Sequence, residues 1–283
     1  MKFTGTISLA ALLAGIAVAP LHAADSRPTV LDKVKWGVGP CAGRLGSVAE
    51  IQVPDGYIFA GADDTRLLME AMRNPTSGSE LGFFAPKAMN WFLVFEFDET
   101  GYIKDDEKDS LDANAMLDSI QKGNEAGNRE REKRGWPPLK IIGWEQPPRY
   151  NPETHNLEWA IRGEAQGESV VNFNTRLLGR EGVMKVTLVT APTELPATMP
   201  KFRDAIGLFT FTQGHRYAEF RQGDKIAKYG LSALIVGGAT AVAVKTGLFK
   251  WLWKGIVIGA IALSGFFKRI FSRNKNTAVP PPS

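Results

Sequence analysis

Sulfur and imidazole are scarce in this chain: one cysteine, Cys41, and three histidines among 283 residues. A single cysteine rules out an internal disulfide, and Cys41 reads as a small apolar filler, too far downstream of the N-terminal segment to be a lipid attachment point. No His-Glu-x-x-His and no paired cysteines are present, which argues against zinc. His22 falls in the N-terminal apolar segment, leaving His155 in a turn and His215 after the last expected strand. No serine sits in a Gly-x-Ser-x-Gly elbow, so a Ser-His-Asp triad is disfavoured. "GVGPCAGRLG" (residues 37–46) is glycine-rich but lacks Gly-Lys-Ser/Thr, and reads as a flexible approach to the first strand rather than a phosphate loop. "DDEKDS" spaces Asp105, Glu107 and Asp109 alternately. It has Ser110 where a calcium loop needs glycine and Met116 where it needs an acid, so these are expected to be solvated loop acids. No cofactor and no metal are expected.

Acidic residues are missing from the C-terminal end. Residues 225–283 hold nine Lys and Arg and no Asp or Glu, within a chain of 34 basic and 30 acidic residues. Only Lys2 precedes residue 24, which leaves 24 basic against 30 acidic residues in 24–224, a net of about −6. The basic excess therefore belongs to the tail, and nucleic acid is not an expected partner. Lys2, the apolar run from Ile7 to Ala19 and the small residues of "PLHAADS" predict a signal peptide over 1–23, either cut after Ala23 or retained as an anchor. Tyr229–Phe267 is a second apolar region, interrupted by Lys245, Lys250 and Lys254. As one helix it would be roughly 58 Å long at ~1.5 Å per residue, against a bilayer core of ~30 Å. It therefore reads as one span plus an interfacial helix, or as a hairpin of two short spans. The positive-inside rule favours one span, leaving "KRIFSRNK" in the cytoplasm. The expected organisation is a signal peptide (1–23), an exported domain (24–224), a membrane anchor region (225–267) and a basic, disordered cytoplasmic tail (268–283). The expected location is the bacterial inner membrane, with the main domain facing the periplasm or cell exterior.

Within 24–224, "AEIQVPDGYIFAG" predicts two short strands about a Pro-Asp-Gly turn, and "DDTRLLMEAMRN" a helix capped by Asp63 or Asp64 and stopped by Pro75. "NWFLVFEFD" is the strongest strand signal. Residues 110–135 begin as an amphipathic helix and continue, without an apolar stripe, as a solvated helix end or an extended loop. Leu139–Trp144 predicts a short strand closed by Pro147-Pro148. "NLEWAIRG", "SVVNFNTRLLG" and "GVMKVTLVT" alternate apolar and polar residues, as an antiparallel meander with one polar face would. "TMPKFRDAIG" predicts a short helix and "LFTFT" a last strand. The fold class is α+β, an antiparallel sheet with a few covering helices, plus a C-terminal transmembrane helical segment.

"GPCAGRLGSVAEIQVPDGYIF", "LGFFAP", "WFLVFEFDETGYIKDDE", "GWEQPPRYNPETHNLEWA", "VNFNTRLLGREGV" and "GHRYAEFRQGDKIAKYGL", with the Gly/Ala-rich tail, carry a resemblance. The chain resembles an uncharacterised family of bacterial membrane-anchored proteins, domain of unknown function 2167. The resemblance implies export, a C-terminal anchor and one compact domain, and supplies no catalytic residues. The order of elements is also similar to that of extracytoplasmic oxygen-evolving-complex P-type proteins, which bears on fold and not on function.

Two readings of function remain. The favoured one is a non-enzymatic binding or scaffold module of the cell envelope, with the membrane and an envelope protein as partners. Its candidate contact patch is Trp144, Tyr150, Trp159 and Arg176, aromatic and cationic side chains of the kind enriched in protein interfaces. The alternative is a cell-envelope hydrolase using Glu96 and Glu158 as paired carboxylates. Against it stands a plain ion pair of either acid with Arg162 or Arg176.

Overall fold

Apolar residues recur every second position through most of the strands, and that period decides the architecture. A computed structural model describes residues 30–106 and 111–236. The expected signal peptide, the basic tail and the anchor region from residue 237 onward lie outside the described residues. Among the described residues, no helix is long and apolar enough to cross a membrane. In chain order the elements are α1 (Val30–Lys33), β1 (Gly37–Val38), β2 (Cys41–Leu45), β3 (Ala49–Val53), β4 (Tyr57–Gly61), α2 (Ala62–Ala71), β5 (Glu80–Pro86) and β6 (Phe92–Asp98). They continue with α3 (Ala113–Lys133), β7 (Lys140–Asn151), β8 (Asn156–Ala165), β9 (Glu168–Leu178), β10 (Val183–Thr190), α4 (Leu195–Gly207), β11 (Phe209–Phe211) and α5 (Leu231–Val236). The class is α+β, with a large antiparallel sheet and a few helices.

The main sheet runs β1-β4-β5-β6-β10-β9-β8-β7, every neighbour antiparallel. A small sheet, β11-β3-β2, is separate. Phe92, Val94, Leu157, Trp159 and Ile161 point to one face of the main sheet, where α2, α3 and α5 add Leu68, Met69, Met116, Ile120 and Leu234. Leu93, Phe95, Phe173, Val186 and Leu188 point to the other, where the small sheet and α4 add Leu45, Ile51, Phe202 and Ala205. Each buried Phe, Leu, Ile or Val contributes about 1.5–3 kcal/mol.

The expectation of one polar face is corrected: both faces are covered. Asn172, Asn174, Arg176, Lys185, Thr187 and Glu96 do fall on alternate positions, but they pair with one another or with the backbone rather than with water. Thr187 Oγ1 donates to Asn174 Oδ1 (3.3 Å), Asn174 Nδ2 to Asn172 O (3.1 Å), and Lys185 Nζ lies 3.4 Å from Glu96 and 3.3 Å from Asp98.

Three local readings also change, and one left open, the second half of α3, resolves to its helical alternative. Pro147-Pro148 does not end its strand: β7 continues to Asn151, because it is an edge strand, where a missing N–H costs no ladder bond, and its register shifts across the prolines. The "GVGPCAGRLG" stretch is β1 and β2, not a flexible approach. Its glycines serve close packing: a Cβ on Gly43 would lie 2.7 Å from the Phe59 ring. The charged second half of α3 is helical throughout. Asn124 and Asn128 donate to Leu139 O (2.8 and 2.7 Å), and Leu139 N donates to Asn128 Oδ1 (2.8 Å), so amides rather than an apolar stripe hold it. Finally, α2 starts one residue before Asp63, with Gly61 at its cap and Asp63 and Asp64 in its first turn.

The chain leaves the sheet along a fastened path. Arg180, in the β9–β10 turn, donates Nε and Nη2 to the two oxygens of Asp224, 2.7 Å each, and Arg221 N also donates to Asp224 (2.7 Å). Tyr102 N donates to Lys225 O (2.7 Å) and Ala227 N to Tyr102 O (2.9 Å). Gly101 makes this pairing possible: its φ is +99°, and a Cβ there would meet Lys225 O at 2.5 Å. Beyond it Leu231, Leu234 and Ile235 are buried against the helical face of the sheet. The first residues of the expected anchor region thus complete the core of the domain.

Two outcomes follow. Leu231→Ala, at a fully buried position, should cost about 2–5 kcal/mol in the thermal stability of the detergent-solubilised chain; an unchanged melting temperature would put α5 outside the core. The Arg180 hydrogen bond and the Arg221 N–H hold the Asp224 pKa down to about 2 from 3.8. A depressed carboxylate stabilises above its unfolded pKa and loses that contribution as pH falls towards 2. Amide protection of residues 216–228, measured against the intrinsic exchange rate at each pH, should therefore fall between about pH 4 and 2. Asp224→Asn should show the reduced protection already at neutral pH.

Candidate functional site

Cross-strand register carries the predicted patch residues to one face. Tyr150 pairs with Leu157, Leu157 with Arg176, Trp144 with Ile161, and Trp159 lies two residues along from Leu157. All four candidates therefore point to the helix-covered side of the sheet. The structure brings Arg176 and Trp159 together, with the guanidinium carbon 4.5 Å from the indole centre, a cation–π contact out of water. It does not present them to a partner: Trp159 is 2% and Arg176 5% exposed. Trp144 is half-buried and donates Nε1–H to Ala113 O at the start of α3 (3.1 Å). Tyr150, also half-buried, donates to Asp105 Oδ2 (3.2 Å) and lies 3.1 Å from His155 Nδ1. Burial first, and then the Asp105 charge, push the Tyr150 pKa up.

Arg176 belongs to an ionic row across three strands, Glu96–Lys185–Arg176, with Asp98 beside it. Desolvation lowers the Arg176 pKa to about 10 although Glu96 and Asp98 oppose it. Burial also acts against the charge of Lys185, but Glu96 and Asp98 outweigh it and raise its pKa. Ser77 Oγ joins Glu96 (3.4 Å) to Glu80 (3.0 Å), and Glu80 also accepts the backbone N–H groups of Ser77 (2.6 Å) and Gly78 (2.8 Å). Asp105 is bound to Tyr150, and Glu107 and Asp109 lie outside the described residues.

Glu158 lies on the opposite face. It pairs with Thr175, one step out of the row that holds Glu96. Its partners are not the expected Arg162 or Arg176: Arg162 binds Glu145 from Nε (2.8 Å), and Arg176 is across the sheet. Instead, Arg203 of α4 embraces the carboxylate, with Nη1 on Oε1 and Nη2 on Oε2 (2.8 Å), and Arg149 of β7 adds a third contact (3.3 Å). The Arg203 guanidinium lies 5.4 Å from the rings of both Phe173 and Phe202. Glu158, Arg203 and Arg149 line an open cleft of ≈ 700 Å³ between the end of α4, β11 and the β7–β8 hairpin. Nothing in the local sequence of "KFRDAIG" marks Arg203 for this role, because its partner is 45 residues away on another element. The carboxylate pair of the hydrolase reading is thus split by the sheet.

The chain belongs to the family of proteins of unknown function DUF2167, whose model matches residues 39–266. No curated protein matches it. Among solved structures it is similar to cyanobacterial PsbP from Synechocystis sp. PCC 6803, at 11% identity over 68% of this chain and 99% of that one, with a TM-score of 0.35. The Ran-binding protein Mog1p of Saccharomyces cerevisiae matches at 10% identity over 66% and 98%, TM-score 0.30. A protein of unknown function from Pseudomonas aeruginosa matches at 16% over 59% and 92%, TM-score 0.24. Likenesses this distant carry no argument for function.

The buried position of Arg176 has a direct consequence. Arg176→Glu would place a third acid beside Glu96 and Asp98, away from water, and should cost more than about 3 kcal/mol. Tyr150→Phe, which removes one hydroxyl from Asp105 and His155, should cost about 1–2 kcal/mol. Denaturant unfolding measures both; a loss under about 0.5 kcal/mol for Arg176→Glu would put that side chain in solvent.

Proposed function

We propose that the chain is an exported binding or scaffold module of the bacterial cell envelope, anchored in the inner membrane by its C-terminal region and without catalysis of its own. The observation that carries the reading is the separation of Glu96 and Glu158. A glycosidase needs both carboxyls flanking one bond, at most about 9.5 Å apart with substrate between them. Here a covered sheet stands between them, and each acid is occupied by Lys185 or by two arginines.

The anchored orientation is supported by the chain's exit. Phe220 and Ile226 are exposed at 40% and 41%, and Arg216, Arg221, Lys225 and Lys228 are exposed around them. Exposed aromatic and aliphatic residues among cations suit a headgroup layer. The apolar run begins at Tyr229, but α5 (Leu231–Val236) is spent on the domain's core, so the part left for a bilayer follows Val236 in the sequence.

Two measurements test this. In a Cys41→Ser background, cysteines placed at Thr154 and Ser283 should differ: an impermeant reagent from the periplasmic side labels Thr154→Cys and not Ser283→Cys. Equal labelling would favour the hairpin anchor. Purified protein incubated with cell-wall glycan should release no product; turnover abolished by Glu158→Gln would restore the hydrolase reading.

A further inference from the structure

The cleft beside Glu158 has an unbalanced lining. Three arginines, Arg149, Arg203 and Arg216, face it with one carboxylate, Glu158. Glu158 is 4% exposed and is satisfied by Arg203 alone through two parallel contacts. Arg149 therefore adds a charge that the carboxylate does not need. Its side chain is 65% exposed, and its one hydrogen bond among the described residues is the 3.3 Å contact to Glu158. Arg216 is exposed; among the described residues its side chain donates only Nε–H, to Phe211 O at 3.5 Å, while its backbone N–H donates to Glu219 (2.9 Å), the acid that partly offsets its charge. The remaining wall is mixed: Asn151, Thr154, Asn156 and Thr210 are polar, and Ile206 and Phe209 give it a half-buried apolar part.

This positive local balance stands against the charge of the domain, which is net acidic over 24–224. A domain of that sign repels anions at long range, so a cationic cleft on it is a local feature and not part of a general basic surface. A second cleft among the described residues, ≈ 530 Å³ between α3 and β7, shows no such bias: Lys140 is there opposed by Glu125 and Glu164. Guanidinium groups bind carboxylate and phosphate oxygens through paired N–H donors, and a pocket of a few hundred Å³ with an apolar wall holds a small organic molecule.

From this geometry we infer that the cleft between α4, β11 and the β7–β8 hairpin binds a small organic anion, its carboxylate or phosphate head on Arg149 and Arg216 and its apolar body on Ile206 and Phe209. Arg203 is a positioning residue: bound to both oxygens of Glu158 and lying against Phe173 and Phe202, it fixes the cleft's floor rather than taking the ligand. The inference rests on the binding-module reading and names the ligand chemistry for it.

The test uses the full chain in nanodiscs of neutral phosphatidylcholine, titrated calorimetrically with octyl phosphate, octanoate and, as an uncharged control, octanol. Saturable binding of at least one anion is expected, with a dissociation constant on the order of 1 mM or tighter, and none of octanol. Arg149→Ala and Arg216→Ala, both at exposed positions, should each weaken it about tenfold or more without moving the melting temperature. Nanodiscs containing phosphatidylglycerol separate the sources: competition with octyl phosphate assigns the head to a membrane lipid, and unchanged binding assigns it to a free anion. Absence of saturable binding, equal binding of octanol, or binding indifferent to both arginine variants overturns the inference. If the titration fails while the labelling and glycan experiments succeed, the cleft is lost and the binding-module reading stands.

Discussion

Arg176 sits under the helices with Trp159 on one side and the Glu96–Lys185 pair on the other. A guanidinium stays charged in nearly any surroundings, so burying one obliges the fold to supply opposite charge and a polarisable surface nearby. That obligation organises the centre of the sheet. Glu96 and Asp98 supply the charge from β6, Lys185 balances them from β10, and the Trp159 face supplies the rest from β8. Four neighbouring strands must keep their relative register for this arrangement to exist. A hydrophobic row would tolerate a local shift far better, because apolar contacts have no direction. The polar stripe thus contributes less to net stability than the flanking apolar residues, and more to fixing which residues face each other.

The second constraint is the fastening of residues 216–227 to the β6–α3 connection and the β9–β10 turn. A domain joined to its next segment by a flexible linker samples many orientations. The bidentate Arg180–Asp224 pair, the backbone pairing of Tyr102 with Lys225 and Ala227, and the Tyr102–Tyr217 stack at 4.5 Å remove that freedom at the domain's own end. With α5 buried against the same core, the last described residues leave the domain in a set direction. On the anchored reading, Phe220 and Ile226 then meet the headgroups as part of a rigid body, and the cleft keeps a set height above the bilayer.

Much of the sheet was legible in the sequence. The alternation in residues 92–98, 156–165, 168–178 and 183–190 gave four central strands, and the turn chemistry between them placed the hairpins. The second buried face was not legible, because period-two alternation looks the same whether its polar half meets water or meets other polar groups; Asn174 and Thr187 hydrogen-bond to each other, which no window of one strand reveals. Pro147-Pro148 misled because proline excludes a strand only from positions that must donate, and edge status is a property of the whole sheet. The four patch residues share a face only through the register of three strands, which no single strand shows, and their exposure depends on α3 and α5, whose docking is tertiary. Arg203 was invisible altogether: an arginine on a short helix gives no sign of a carboxylate 45 residues earlier.

The same register explains why this sheet does not assemble a carboxylate pair. Glu96, Lys185, Arg176 and Leu157 form one row, and Glu158 is the next residue along β8. Side chains one residue apart on a strand point to opposite faces, so the two acids are separated by a single step of register. Slipping β8 by one residue would bring Glu158 into the row of Glu96. It would also carry Leu157, Trp159 and Ile161 out of the helix-covered core and take Trp159 from Arg176. The β8–β9 connection opposes that slip: Gln166 and Gly167, at φ +54° and +81°, form a two-residue turn of the left-handed kind that matches strand twist and fixes the pairing of Ala165 with Glu168. Keeping the acids apart is therefore a consequence of packing Trp159, and it leaves Glu158 on the α4 side, held by Arg203 and Arg149.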